Sequence, residues 1–338
     1  MTSYGFSTCG YFPGPGVPTG TTERFDDIAN THTARTAATA RNNMAGYSFG
    51  GYGFSTCGYS TGGLLGGITE RFDDIANTHT ARTAATARFA VAGYSFSGYG
   101  FSTCGNTGSV VGTTERFDDG ANTHTARTAA TGRHYLAGYS FSGYGFSTCG
   151  YLVVGTTERF DDAANTHTGR AGATGRAFLA GYSSGGFGFS TCGNDNASDI
   201  GTTERFDDIA NTHTGRAAAT VRNRLAGYSF GGYGFSTCGF LNAGMTSTGT
   251  TERFDDGANT HTARANATSR SHLPGYSIIS EPVPKPARKP GAPVVPPLGR
   301  LLKYGLKTPL KREPLNDRWE CQLDWREPRQ DISSRRRR

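Results

Sequence analysis

Three observations predict an all-β fold in which six small sheets close into a ring. One six-residue string recurs at nearly constant spacing. Aromatic residues alternate with small ones between Gly-rich breaks. The two ends of the repetitive region are fragments that complete one another. The chain has 338 residues, 49 of them Gly, and no apolar run approaches the roughly 20 residues a bilayer span requires. Neither a Leu-rich helical core nor a membrane span is expected, and the first residues show no secretory leader.

The string Thr-Glu-Arg-Phe-Asp-Asp begins at Thr22, Thr69, Thr114, Thr157, Thr203 and Thr251, in steps of 47, 45, 43, 46 and 48 residues. Each copy continues through Ala-Asn-Thr-His-Thr, a Gly/Ala/Thr/Arg stretch, Gly-Tyr-Ser and Gly-(Tyr/Phe)-Gly-Phe-Ser-Thr-Cys-Gly. Aromatic residues at fixed phase are what a packed unit needs, so the low aliphatic content does not signal disorder. In Tyr52-Gly53-Phe54-Ser55-Thr56-Cys57 the aromatics alternate, which places them on one face of a strand. Gly-rich breaks then give four strands per copy, in the second unit near residues 43–49, 52–57, 68–74 and 78–83.

Four short antiparallel strands leave an open edge and an unburied face, which radial stacking of copies covers. The N-terminus enters at the Tyr4–Cys9 strand, and the last copy stops after the 271–279 segment that belongs before it. One C-terminal strand beside three N-terminal strands therefore completes a sixth blade over residues 1–280. The expected architecture is a six-bladed β-propeller.

The order Cys57-Gly58, Phe72, His79, Arg88, with seven residues from Phe72 to His79, resembles the kelch repeat. That family's blades carry a Gly pair after the second strand, two aromatics seven residues apart, and an Arg before the next blade. The resemblance spans residues 4–280 and recurs six times. Here Cys stands for the first Gly and His for the usual Trp, which implies interblade contacts poorer in apolar area.

The periodic residues read as structure. Cys9, Cys57, Cys104, Cys149, Cys192 and Cys238 should lie about 10 Å apart around the ring, beyond the roughly 7 Å a disulfide allows, so they are expected as buried free thiols in a reducing, cytoplasmic compartment. His32, His79, His124, His167, His213 and His261 sit on separate blades and cannot converge on one ion; they are expected between blades in the place of Trp. The acidic pairs, Asp26-Asp27 through Asp255-Asp256, read as turns, and Glu23, Arg24 and their equivalents as cross-strand or interblade ion pairs. No catalytic constellation, metal site or cofactor is expected; His134, His272, Asp195 and Asp199 alone depart from the periodic phase.

Length and chemistry diverge only between the second and third strands: Tyr11 to Gly20, Tyr59 to Gly67, Asn106 to Gly112, Tyr151 to Gly155, Asn194 to Gly201, and Phe240 to Gly249. Loops on one rim of a rigid scaffold are natural binding elements. The kelch resemblance adds Arg41, Arg88, Arg133, Arg176, Arg222, Arg224 and Arg270 on the same rim. They are read either as channel-mouth groups that favour an acidic peptide or anion, or as braces between adjacent blades.

The leading expectation is a non-catalytic protein-binding scaffold. The alternative is a carbohydrate-active enzyme resembling kelch-type galactose oxidase or sialate epimerase. Every lysine lies at or beyond Lys285, so the formal charge of +7 belongs to residues 281–338. That Pro-rich basic tail is expected to be mostly disordered and able to contact anionic surfaces, while the propeller offers no basic field for nucleic acid.

Overall fold

A computed structural model describes residues 2–12 and 17–280; the expectations for the tail lie outside these residues. The described chain forms six four-stranded antiparallel sheets arranged as a six-bladed β-propeller. Blade 2 runs outward from Ala45–Phe49 through Tyr52–Thr56 and Thr69–Asp73 to Thr78–Arg82, close to the strands expected from spacing. Blade 1 is assembled from both ends: innermost Gly275–Ser280, then Thr2–Thr8, Thr22–Asp26 and Thr31–Arg35. Phe6 lies opposite Tyr276, and Tyr4 opposite Ile278. The closing strand thus starts at Gly275, and the four residues before it, expected as part of that strand, belong to the channel mouth. Blades 3 to 6 follow in chain order.

Local chemistry sets the blade. The first two strands are joined by Gly50-Gly51, both with positive φ of 59° and 81°, the two-residue turn whose twist matches an antiparallel pair. Between the outer strands, Asp73 Oδ1 accepts the backbone N–H groups of Ile75 (2.9 Å) and Ala76 (3.0 Å), and Asn77 takes the left-handed conformation at 52°. These hairpins lie on one rim; the variable loops and the crossovers between blades lie on the other.

What a blade buries, it buries against its neighbour. Tyr47 and Phe54 of blade 2 pack with Phe117 of blade 3, and the Phe54 and Phe117 rings meet edge-on with centroids 5.5 Å apart. The Tyr47 ring fills the place of a side chain at Gly100 in the second strand of blade 3, where a Cβ would fall 2.2 Å from Tyr47 Cε2. Gly53 stands likewise under Tyr276, and Gly5 under Tyr228, which closes the ring between blades 6 and 1. The alternating small residues of Tyr-Gly-Phe-Ser-Thr are therefore sockets for the preceding blade's tyrosine.

Polar contacts repeat the same step. The second residue of each Asp pair, expected to belong to the turn, instead reaches the preceding blade. Asp119 bridges Arg71 (3.0 Å) and Arg82 (2.8 Å), and Asp27 bridges Arg253 (3.0 Å) and Arg264 (2.7 Å) across the closure. The turn needs one acceptor, so the second carboxylate is free for the flanking guanidinium groups. Arg71 also lies over the Tyr52 ring at 4.3 Å. Asn77 Oδ1 accepts the N–H of Thr36 from blade 1 (3.0 Å).

The histidines occupy the interblade position expected of them. His124 lies against Phe117 in its own blade (4.7 Å between centroids) and meets Thr69 Oγ1 of blade 2 at 3.1 Å; His32 makes the same contact to Thr251 across the closure. The six cysteines are buried and unpaired. Cys57 takes φ of 67°, a left-handed conformation that favours glycine, and packs with Ala45, Ala85 and Val91.

Two measurements test this interface. Burial lowers the pKa of His32 to about 4 and depresses those of His79, His124, His167, His213 and His261. An unfolded histidine takes up its proton near pH 6.5, while the folded rings do so only at lower pH. Their contribution is complete above about pH 6.5 and is lost as pH falls toward 4. The melting temperature at pH 5 is expected below that at pH 8; equal values would remove the histidine rings from the balance. Gly100→Ala is expected to destabilise by about 2 kcal/mol, and the double variant with Tyr47→Ala by less than the sum of the two single changes, as read by chemical denaturation.

Candidate functional site

Of the seven arginines singled out from sequence, six do not face a ligand, which corrects the channel-mouth reading for Arg41, Arg88, Arg133, Arg176, Arg222 and Arg270. Each is at most 4% exposed. Arg41 donates to Glu70 (2.6 Å), Ser55 Oγ (2.8 Å) and the carbonyls of Ile68 (2.7 Å) and Cys57 (3.1 Å). The same pairing joins Arg88 to Glu115, Arg133 to Glu158, Arg176 to Glu204, Arg222 to Glu252 and Arg270 to Glu23 at 2.5–2.6 Å. The carboxylate of Glu70 also accepts the N–H (3.1 Å) and hydroxyl (2.9 Å) of Thr39. These groups brace each crossover segment against the blade it enters, and burial closes them to a partner.

Arg224 is different, and its place shows where the candidate site lies. It belongs to a ring of six residues just ahead of the innermost strands: Asn43, Ala90, Tyr135, Phe178, Arg224 and His272. All have φ between 56° and 59°, and they form a closed circle of backbone hydrogen bonds. The N–H of Ala90 donates to Asn43 (2.8 Å), Tyr135 to Ala90 (3.1 Å), Phe178 to Tyr135 (2.9 Å), Arg224 to Phe178 (2.7 Å), His272 to Arg224 (2.9 Å) and Asn43 to His272 (2.9 Å). Behind it lies a ring of Met44, Val91, Leu136, Leu179, Leu225 and Leu273, all buried. Both rings line a cavity of about 80 Å³ at the mouth, and a second space of about 80 Å³ lies along the innermost strands. Typical small-molecule sites measure roughly 300–1,000 Å³.

Around this mouth the loops and crossovers build a crescent of rings. Tyr135 and Phe178 approach to 4.1 Å between centroids, His134 and Tyr151 to 4.8 Å, and Tyr59 and Phe89 to 4.5 Å. The Arg224 guanidinium lies over Phe178 (4.8 Å) and Phe240 (4.9 Å). Burial, with Arg224 nearby, pushes the pKa of His272 down to about 3, so that ring is neutral across the physiological range. Asp199 accepts bonds from Asn194 (3.1 Å), from Asn223, and from the backbone and side-chain N–H groups of Asn242 (both 2.7 Å). Asp195 turns back on its own loop, accepting the N–H groups of Ala197 and Ser198. A wider groove of about 510 Å³ lies between the loops of blades 1 and 2, with Tyr11, Val17, Pro18 and Tyr59 among its lining residues. Among the described residues, no cluster of three His, Cys, Asp or Glu could hold a metal ion.

Variation is therefore not confined to the loops between second and third strands. A second variable tract, two residues long, follows each buried arginine: Asn42-Asn43, Phe89-Ala90, His134-Tyr135, Ala177-Phe178, Asn223-Arg224 and Ser271-His272. The signal was present in sequence as a dipeptide that fails to repeat between a recurring Arg and a recurring apolar residue ahead of Ala-Gly or Pro-Gly.

The ring's left-handed backbone is costly for residues other than Gly, by about 1–2 kcal/mol each. Ala90→Gly relieves that strain but gains chain entropy when unfolded, and a net stabilisation of about 0.5–1 kcal/mol is expected. Ala90→Val, β-branched, is expected to destabilise. Urea denaturation of the two variants checks the sign of each.

No family model matches this chain, and no curated protein matches it. Its fold does have counterparts among solved structures. One described as "Structure of YjhT" superposes with a TM-score of 0.61 at 11% sequence identity, covering 73% of this chain and 92% of that one. At that identity the likeness establishes the propeller architecture.

Proposed function

We propose that this propeller is a non-catalytic binding scaffold of kelch-like type, which holds a partner protein or peptide on the rim formed by the variable loops and the channel mouth. One observation carries the reading: departures from the repeat gather on this rim, in the 2–3 loops and in the dipeptides of the mouth ring, while the hairpins opposite stay nearly uniform. A scaffold conserves what holds it together and diversifies what it presents. The groove between the blade 1 and blade 2 loops and the aromatic crescent offer the apolar surface with polar edges that peptide contacts use. The six-fold seven-residue offset between Phe and His supports the kelch assignment. A reducing cytoplasmic setting, consistent with the buried thiols, is part of the proposal.

The carbohydrate-active alternative needs a substrate beside reactive groups, and the two spaces along the channel are each about 80 Å³. The test is affinity recovery with the intact chain and with a variant whose 2–3 loops are all replaced by the short Tyr151–Gly155 sequence. A specific protein is expected on the intact chain and absent from the loop variant. Oxidation or epimerisation of a sugar by the purified chain would favour the alternative.

A further inference from the structure

Ion pairing of the arginines inside the propeller is complete except at one point. Among the described residues, every arginine but Arg224 stands in an ion pair with an Asp or Glu, and this region holds no lysine. The acidic side chains are engaged as well: the glutamates with the bracing arginines, the aspartates in turns, interblade bridges or, for Asp199, with amide donors. One guanidinium on the variable face is left without an ion pair: burial lowers the pKa of Arg224, and the nearby Asp199 carboxylate, held by amide donors, acts on its charge without bonding it.

The setting of that guanidinium limits what could match it. Its Nε is buried without a partner, while its two terminal nitrogens are not buried and make no hydrogen bond among the described residues. A fork with two free parallel donors suits a carboxylate or phosphate. Contact with the Phe178 and Phe240 rings holds the side chain in place and thins the water around it, which strengthens a charged hydrogen bond there. The neighbouring ring position, His272, is neutral and does not compete for an anion. A mouth of about 80 Å³ admits a functional group and not a sugar ring, and a single cation is a poor match for a doubly charged phosphate. Beside it, Tyr151 is 44% exposed and, with His134 and Tyr135, offers an aromatic surface to whatever adjoins the anion.

We propose that the channel mouth takes a single Asp or Glu side chain of a partner peptide, held by two N–H bonds from Arg224, with an apolar or aromatic neighbour of that residue lying on His134, Tyr135 and Tyr151. This rests on the peptide-binding reading above and assigns its central contact. The other six arginines play no part in it.

The probe is a random seven-residue peptide display library selected on the immobilised full-length chain, followed by titration of the enriched peptides. Enriched peptides are expected to share one acidic residue. Its replacement by Gln or Asn, or Arg224→Gln in the protein, should each weaken binding at least about tenfold, and the peptide change should cost less than twofold once Arg224 is gone. Arg224→Lys, which keeps the charge and loses the fork, should fall between. Circular dichroism of each variant reports that the propeller is intact, as expected since the mouth ring is held by backbone. Peptides that bind without an acidic requirement, or equally to the Gln variant, overturn this inference and leave the scaffold reading standing. If no peptide is enriched, that reading falls. In that event glutarate raising the melting temperature of the intact chain but not of the Gln variant would keep the carboxylate site with a small-molecule source, and no shift would end both.

Discussion

The contact between successive blades is the constraint on which the remainder of this molecule depends. A tyrosine on each innermost strand enters the space left by a glycine on the next blade's second strand, and a phenylalanine of one blade meets that of the next edge-on. Burying such a ring contributes about 1.5–3 kcal/mol, and the step is taken at six interfaces. The bridging aspartates and the stacked arginines add less per contact, since partly exposed ion pairs are weak, but they are directional. They fix the rotation and height of a blade against its neighbour, which the aromatic contact alone would tolerate with more slack.

Most of this was readable from the sequence because it repeats. Six copies of one string and two complementary end fragments imply a closed ring, and the seven-residue offset places a histidine beside a phenylalanine. The limits are instructive. In Asp-Asp pairs a turn explains the first carboxylate, and nothing local distinguishes the second, whose partners lie some 50 residues away on another blade. The periodic arginines admitted two readings because an Arg beside a rim can point outward or back. The deciding feature, a glutamate and two carbonyls converging beneath the crossover, exists only once the third strand is in place. The mouth ring was hidden for another reason: Ala90, Tyr135 and Phe178 carry no preference for positive φ, so the conformation is imposed by the neighbouring blades and has no sequence signature.

That origin explains why the mouth is free to vary. Its circle of hydrogen bonds uses peptide groups alone, so the six side chains have no duty in holding the ring together. The bracing arginines before them and the apolar residues just after are constrained by burial. Between these fixed points each blade carries one position whose side chain takes no part in the ring's hydrogen bonds, and all six positions converge on one axis. The scaffold therefore concentrates its chemical diversity where the symmetry of its backbone is most complete.

Closure by the last strand also has a consequence for synthesis. Thr2–Thr8 leaves the ribosome well before its partner, Gly275–Ser280. At about 5–20 residues per second the nascent edge waits roughly 15–55 s, while five other innermost strands with nearly the same Gly-Tyr-Ser sequence pass by. Where those copies continue with Phe or Ser and then a turn, the final strand carries Ile278 and Ile279, and Ile278 packs against Phe6 and Tyr4 of the waiting strand. The closing strand thus meets its partner through Ile278 where four other blades use a phenylalanine, and reaches it without a connecting turn.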